Sequence, residues 1–431
     1  MTIDAFVAAR TAVSIPKPAV LRRPARPAAQ PSALLVATQR WVSSALLAKS
    51  LRAAGFHVEA VCRAGHPLCL LSEPLARHRL GQFDEDHSIA AAIRQMAPDL
   101  VIPCDDPAVD ILHRLHEQDG DGPIAGVIER SIGHPTGYAI VKNKSALLEL
   151  ARTEGLSAPR SVPVDSFGHL LGLLDATGCP QVLKRDRTWS GTGVRIIANR
   201  DDARSAWSNV AGSMSVLRAM RSAQCNMRVK TLIERYRHAS ARIELQEFVA
   251  GAPANRAVVC ADGKVLAGAT VVALETVDPT GPASVVDVID QPEIAQTVAV
   301  LVQRLRLSGF FGFDFIITPA GRAVLLEANP RATPIAHLPF MNGTSLPAAL
   351  YEHVTGRAVV PDGGVIGCNR IALYPNEWNR DPASSYLREA FHAVPWDEPA
   401  LMRAIMRSGS GLKLSQSEPA ARAVPKRTAS A

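Results

Sequence analysis

Residues 325–334, LLEANPRATP, place a carboxylate and an amide two positions apart at the end of an apolar run, with a cation close behind. They complete the predicted hairpin GFDFIITPAGRAVLLEAN, in which one acid interrupts each apolar strand, Asp314 in the first and Glu327 in the second. Because side chains alternate between the two faces of a strand, Glu327 and Asn329 share a face. If the strands pair around the turn, Asp314 reaches the same face, so three oxygen donors meet at one strand end.

Three oxygen donors at one point suit magnesium, which takes a few carboxylate or amide oxygens and leaves its other positions to water and phosphate. Without a cation, buried Asp314 and Glu327 would repel each other at a cost in stability. The same pattern has a second interpretation, in which lysine or arginine satisfies both acids or the acids lie at an exposed edge.

A second motif, VLKRDRTWSGTGV, predicts a strand, a glycine-bearing loop and another strand, with Lys184 at the end of the first strand. The loop contains Ser190, Gly191, Thr192 and Gly193. Its glycines allow backbone N–H groups to approach phosphate oxygens, and the lysine supplies a point charge. The alternative is a plain turn with a solvated Lys184.

Four weaker candidates are scattered along the chain. Lys144 begins a predicted helix, and LQEFVAG, residues 245–251, predicts a strand that ends in a bend of small residues. Exposed backbone at such a bend can pair with an adenine edge, although a structural strand is the simpler interpretation. His337 and Arg370 are candidates for substrate contact, and a structural role is the favoured interpretation of His337.

The N-terminal part of the sequence alternates strands and helices, which is typical of a parallel sheet that binds ligands at the carboxyl ends of its strands. No GxGxxG follows the first strand, and this disfavours a dinucleotide site. Apolar spacing predicts strands at 34–37, 57–62 and within LVIPCDD, and helices at 42–53, 87–97, 107–117, 144–153, 201–209, 291–306 and 345–355.

Polar residues at the ends of two of these strands are candidate substrate contacts. Thr38, Gln39 and Arg40 follow the first strand, and Asp105 and Asp106 end LVIPCDD. The two acids could hold an amine. The favoured interpretation, however, is that Asp106 caps the N-terminus of the following helix.

Taken in order, the motifs NKSALLELARTEGLSAPRS, VLKRDRTWSGTGV, LQEFVAG, GFDF and LLEANPRATP resemble those of the ATP-grasp superfamily, over roughly 33–357. Around 327–331 the chain is most similar to carbamoyl phosphate synthetases and biotin carboxylases, and its wider layout resembles the carboxylate–amine ligases. The resemblance implies an α/β plus α+β architecture. An ATP-grasp fold would follow an N-terminal, Rossmann-like pre-ATP-grasp domain with a parallel sheet.

The resemblance also implies a division of the chain into domains. A disordered basic tail is expected at 1–31, followed by the N-terminal domain at 32–135. The ATP-grasp domain is expected at 136–357, with a lid at about 180–250 and a basic helical insertion at about 209–243. A C-terminal segment at 358–407 that packs on the core and a disordered tail at 408–431 are expected to follow.

Residue by residue, the resemblance assigns a nucleotide site. It implies that Lys144 contacts the phosphates and that Lys184 contacts the α/β-phosphates beneath the lid loop Ser190–Gly193. It implies that adenine is held, mainly by backbone, at Gln246, Glu247 and Val249. It further implies that one or two Mg²⁺ (with Mn²⁺ as an alternative) are bound by Asp314, Glu327 and Asn329, and that Arg331 contacts the transferred γ-phosphate or the acyl phosphate. Lys184 and Arg331 are the implied catalytic residues. The lid has fewer glycines than is usual, and in place of an acid near the ribose the chain offers only Asn255.

The implied reaction is attack of a substrate carboxylate on the γ-phosphate of ATP, followed by capture of the acyl phosphate by an amine. The implied partners are therefore a small carboxylate and a small amine, and many relatives are homodimers. A carboxylase or carbamoyl-phosphate-type enzyme is the first alternative, but the chain has no AMKM carrier motif and no glutaminase-like cysteine elbow. A non-catalytic ATP-binding module is the second, and the complete set of phosphate and metal positions argues against it.

The composition agrees with a globular protein of two to three domains, because the 431 residues are 47% hydrophobic and 20% charged. No run of about 18 apolar residues predicts a membrane span, and the N-terminus lacks the pattern of a secretory signal, so we expect a cytoplasmic protein. The seven cysteines form no CxxC pair, which favours reduced thiols.

The net charge of +7 lies in the two predicted tails, since residues 1–31 carry +4 and residues 408–431 carry +3. The sequence between them is neutral overall, so no specific nucleic-acid partner is expected. Within it, residues 217–243 hold seven Lys/Arg and one Glu. They predict either solvated amphipathic helices or a cover over the site that attracts an anionic substrate.

Overall fold

The computed structural model describes residues 30–185, 193–211, 242–278, 281–340, 343–359 and 367–412. Most of both predicted tails, most of the lid loop and nearly all of the basic stretch at 217–243 lie outside these residues. None of the helices in the described ranges has the length and apolar character required to cross a membrane.

The N-terminal unit is a four-stranded parallel sheet in the order β3-β2-β1-β4, flanked by helices. The prediction of alternating strands and helices around a parallel sheet is confirmed. Sequence analysis did not find β3 or α4; β3 has the sequence ARHR, lies mostly exposed and carries no apolar alternation. The elements are β1 Ser32–Val36, α1 Val42–Ala53, β2 His57–Cys62, β3 Ala76–Arg79, α2 Glu85–Met96, β4 Leu100–Pro103, α3 Asp106–Asp119 and α4 Pro123–Ile132, followed by the linking helices α5 Pro135–Lys142 and α6 Lys144–Thr153.

A second, antiparallel sheet of four strands has the order β5-β8-β6-β7 and its own small core. It starts before the expected lid boundary near residue 180, because β5 and α7 pack into the same core as the later strands. Its elements are β5 Ser161–Pro163, α7 Phe167–Thr177, β6 Gln181–Arg185, β7 Val194–Ile197, α8 Ala203–Ala211 and β8 Ile243–Glu247.

The third sheet has seven strands in the order β13-β12-β9-β10-β11-β14-β15. One face packs on α6 and α9 through apolar residues such as Phe313 and Leu301, and the other shares a core with the N-terminal unit. The N-terminal unit and the linking helix α6 therefore both pack on this sheet. Its elements and the C-terminal helices are β9 Ala252–Ala261, β10 Lys264–Thr276, β11 Ala283–Ile289, α9 Pro292–Leu305, β12 Gly309–Ile317, β13 Ala323–Asn329, α10 Leu346–Thr355, β14 Arg370–Ala372, α11 Asn376–Arg380, α12 Tyr386–Glu389, β15 Phe391–His392 and α13 Pro399–Leu412.

Candidate active site

A β-bulge in the β12–β13 hairpin brings the two predicted acids together. Phe315 pairs with Leu325, but the preceding residue of β12, Asp314, pairs with Glu327. Leu326 is therefore the extra residue on β13. A hairpin in strict register would place Leu326 opposite Asp314. The bulge therefore turns Glu327 away from the buried face that Leu325 occupies and towards the face of Asp314.

Amide groups surround Asp314 on this face. Asn329 donates from Nδ2 to Asp314 Oδ2 at 2.9 Å, and Asn255 donates from Nδ2 to Oδ1 at 2.6 Å. Thr333 lies directly behind, since its Oγ1 is 3.4 Å from Asn255 Oδ1. Gly312 makes this packing possible, because a Cβ at that position would lie 2.0 Å from Thr333 Cγ2.

Glu327 faces a lysine from the linking helices. Lys144, the first residue of α6, places Nζ 2.5 Å from Glu327 Oε2. Burial raises the pKa of Glu327, but the ammonium groups of Lys144 and Lys184 outweigh it and hold this pKa well below its usual range. Burial and the neighbouring Glu327 raise the pKa of Asp314 instead. The two acids thus bind protons as a pair, with Glu327 the more acidic member.

Lys184 approaches the same point from the second sheet, near the end of β6. Burial lowers the pKa of its ammonium to about 8, although nearby acids, Glu327 foremost, act in the opposite direction. Among the described residues no carboxylate lies within ion-pair distance of Lys184, so its charge is available to an anion. The two lysines and two acids come from four separate elements, α6, β6, β12 and β13, and lie close together.

Glu244 is a site residue that sequence analysis missed. It pairs across the strands with Lys184, is buried, and accepts a hydrogen bond from Ser161 Oγ at 2.8 Å and another from Ser145 Oγ. Polar and apolar residues alternate along IELQ, as in any strand with one solvated face, so no feature of the sequence signals that Glu244 is buried.

The predicted adenine side lies along β8. Gln246 is 2% exposed, and its Nε2 has no hydrogen-bond partner among the described residues. It shares with Lys184 the face of the sheet opposite Leu245. Glu247 is exposed and accepts from the backbone N–H of Arg160 at 2.9 Å. An unsatisfied buried amide costs free energy unless a ligand pairs with it, so Gln246 fits a nucleotide edge.

Other predicted contacts are only partly described. Val249 follows β8 in an irregular stretch and is half-buried, and Gly193 accepts a backbone hydrogen bond from Arg185 at 2.9 Å. Ser190, Gly191 and Thr192 lie outside the described residues. Asn255, predicted near the ribose, lies beside Asp314, a predicted metal ligand.

Arg331 reaches the N-terminal unit. Its Nε donates to Asp106 Oδ2 at 2.9 Å, and its Cζ lies 4.6 Å from the centroid of the Trp41 ring. The predicted helix-capping role of Asp106 is wrong. Asp105 caps α3 by accepting from Ala108 N at 3.0 Å, because the helix begins one residue earlier than the capping interpretation assumed and Asp106 is its first residue.

The remaining candidates have structural partners. Arg40 donates to the carbonyl of Gly65 at 2.7 Å. Burial lowers the pKa of His337 to about 4, which agrees with the structural role favoured for it. Arg370 forms two hydrogen bonds of 2.9 Å with Asp287, so its guanidinium is occupied on the surface of the third sheet.

The donor set suits a hard cation that needs few protein ligands. Across the described part of the chain there is no group of three or more His, Cys, Asp or Glu placed to hold a metal. The cleft instead offers two carboxylates and the amide of Asn329, and magnesium prefers such a set when phosphate and water complete its shell.

No family model matches the sequence, and neither does any curated protein. Solved structures do match. The biotin carboxylase domain dimer of 2-oxoglutarate carboxylase from Hydrogenobacter thermophilus, solved with MgADP, ADP and bicarbonate, has a TM-score of 0.54 at 12% identity, over 76% of this chain and 70% of that chain.

Two ligases of other substrates are also similar. N5-carboxyaminoimidazole synthase from Aspergillus clavatus, in complex with ADP and 5-aminoimidazole ribonucleotide, gives 0.54 at 14% identity over 77% of this chain and 78% of that chain. L-amino acid ligase from Bacillus licheniformis gives 0.50 at 14% identity over 75% and 74%. The chain has the ATP-grasp fold that these proteins share, as its motifs predicted.

Proposed function

We propose that this protein is an ATP-dependent ligase that converts a substrate carboxylate into an acyl phosphate and joins it to an amine, with release of ADP and phosphate. The observation that supports it best is the convergence of Asp314 and Glu327 on Lys144 and Lys184. Paired acids facing paired lysines form a site for a metal-bound polyphosphate, and a protein without such a ligand gains little from placing like charges together.

In this proposal different residues of the site bind different parts of the nucleotide. Lys144 and Lys184 bind the phosphates, and Gln246 with the adjoining backbone of Glu247 and Val249 binds adenine. By the resemblance of the sequence motif, Ser190–Gly193 would also contact the phosphates. Asp314, Glu327 and Asn329 hold one or two Mg²⁺, with Mn²⁺ as a substitute, and the metal neutralises phosphate charge when it is bound.

The chain's own contribution to the reaction is binding, orientation and charge. Phosphoryl transfer needs little covalent work from a protein when attacking and leaving groups are held in line and their charge is neutralised. Lys184 supplies a cation on the nucleotide side. Arg331 supplies one on the opposite side, where the carboxylate would attack and the acyl phosphate would form.

The similar structures agree with this reaction class. One is a ligase of amino acids, one was solved with ADP and an amine-bearing ribonucleotide, and one with MgADP and bicarbonate. Because the third of these structures contains bicarbonate, a bicarbonate-dependent carboxylase is the competing function. By the same analogy we propose a cytoplasmic enzyme that forms a homodimer, which light scattering of the purified chain would test.

The proposal is tested by measuring ADP release with Mg·ATP across a library of carboxylic acids paired with amines. We expect release that requires one acid and one amine together. Release that requires bicarbonate would identify the carboxylase, and Mg·ATP binding without turnover for any pair would identify a binding module. Glu327→Ala serves as the inactive control, and mass spectrometry of the product would show the new amide bond.

A further inference from the structure

Arg331 lies on the loop after β13 but is held by the N-terminal unit. Asp106 accepts from its Nε at 2.9 Å, and the Trp41 ring covers one face of the guanidinium at 4.6 Å. The Arg331 side chain is only 12% exposed. Two residues of the N-terminal unit therefore hold this cation from outside its own sheet.

These two residues belong to one rigid platform. Trp41 follows the end of β1, and Asp106 begins α3. Asp105 joins the two segments, because its buried carboxylate accepts from the backbone N–H groups of Thr38 at 2.7 Å and Gln39 at 2.8 Å while it caps α3. These bonds tie the segment that carries Trp41 to the segment that carries Asp106.

Buried polar groups support the platform from behind. Arg63 donates to the carbonyl of Thr38 at 3.1 Å and forms a buried ion pair with Glu85 at 2.5 Å. His66 contacts the carbonyl of Gln39 at 2.8 Å. A surface loop that needed only to connect a strand to a helix would not require this number of buried charged groups.

We infer that Asp106 and Trp41 are positioning residues that hold the Arg331 guanidinium towards the transferred phosphoryl group. This inference rests on the proposed function. The Nε of Arg331 and one ring face are occupied, and Nη1 makes a 3.4 Å contact with the Ala332 carbonyl. Within the described residues Nη2 has no hydrogen-bond partner, so the edge that remains can donate to an anion.

Preorganisation gives the arrangement its expected effect. An arginine held before the reaction does not have to be ordered during it, and a misplacement of about 1 Å at a reacting centre costs up to about a hundredfold in rate. The N-terminal unit would thereby contribute to phosphoryl transfer without contacting ATP.

The test compares Asp106→Asn with a matched control, Asp86→Asn. Like Asp106, Asp86 pairs with an arginine, in this case Arg114 of α3, through two 2.9 Å hydrogen bonds. With the best acid–amine pair from the screen, we expect Asp106→Asn to lower kcat about tenfold or more with the KM for ATP changed less than about twofold. Asp106→Glu should recover part of the rate, and Asp86→Asn should behave as wild type.

A double-mutant cycle separates positioning from a general structural defect. In an Arg331→Ala background, Asp106→Asn should cause no further loss of kcat, because its effect passes through the missing guanidinium. Equal losses in both backgrounds, or a loss matched by Asp86→Asn, would overturn the inference. Trp41→Phe gives a second route, with a smaller loss expected.

Failure of the proposed function is distinguishable from failure of this inference. If the wild-type protein releases no ADP with any acid–amine pair, the proposed ligase function is rejected. The binding of Mg·ADP, with and without orthovanadate, is then measured in place of turnover. Asp106→Asn should then weaken the vanadate-dependent binding at least about fivefold and leave Mg·ADP binding unchanged. Equal binding by wild type, Asp86→Asn and Asp106→Asn overturns the inference.

Discussion

Two acids of this molecule, Asp105 after β4 and Asp314 within β12, lie in opposite surroundings. At the end of β4, Asp105 is fully buried and accepts four hydrogen bonds, from Thr38 N and Oγ1, Gln39 N and Ala108 N, between 2.7 and 3.0 Å. On β12, Asp314 accepts from two amides and faces a second acid, Glu327.

The difference shows how to separate a structural acid from a ligand. The protein satisfies Asp105 completely, so that carboxylate stabilises the fold and has nothing left to offer. It leaves Asp314 with two amide donors beside Glu327, whose own charge is offset by Lys144 and Lys184, so a further cation at this point would stabilise the Asp314 carboxylate. The number and sign of the surrounding groups, rather than burial, distinguish the two roles.

Glu327→Gln should have the largest effect on activity. It removes a metal-binding charge without changing the side-chain volume, so ADP release should fall at least about a hundredfold while the circular dichroism spectrum is unchanged. Glu293→Gln is the matched control, since Glu293 accepts from Ala323 N at the other end of β13. ADP release at the wild-type rate by the Glu327→Gln variant would contradict the proposed metal site.

The two acids should also differ in stability. Asp105→Ala leaves buried donors unsatisfied and should lower the free energy of unfolding by about 2–4 kcal/mol. Asp314→Asn relieves a like-charge contact and should leave the free energy of unfolding unchanged or raise it. Urea denaturation of both variants checks this, and a strongly destabilised Asp314→Asn would contradict the contrast.

The affinity for ATP should depend on pH through Lys184. Burial lowers its pKa to about 8, and only the protonated form attracts phosphate, so affinity should fall as pH rises through that value, by about tenfold between pH 7 and pH 9. Lys184→Arg stays charged over this range and should abolish the dependence. Titration of a fluorescent ATP analogue at saturating Mg²⁺ measures it. A dependence that persists in Lys184→Arg would assign it to another group.

Arg370→Ala should have the smallest effect. Its pair with Asp287 is exposed, and exposed ion pairs contribute little. We expect no measurable change in the melting temperature or in ADP release. A clear loss of activity would restore the hypothesis that this residue faces the pocket.

Much of the fold was predictable because its elements have strong periodicity. The predicted bounds of α1, β2 and α6 match the structure, and the apolar spacing in those segments leaves no competing interpretation. Weaker signals failed in identifiable ways. The exposed strand β3 has no apolar face, and of the two adjacent acids at the start of α3 the wrong one was predicted to cap the helix.

The sequence by itself determined which chemical groups are present and in what order: two lysines, a glycine loop, and two acids that interrupt paired apolar strands. Local periodicity encodes that much. Only the tertiary structure decided that Asp314 meets Glu327, because a single bulge shifts the register by one residue and so reverses the face. The contact of Arg331 with Asp106 likewise depends on packing between residues 225 positions apart, which no local pattern specifies.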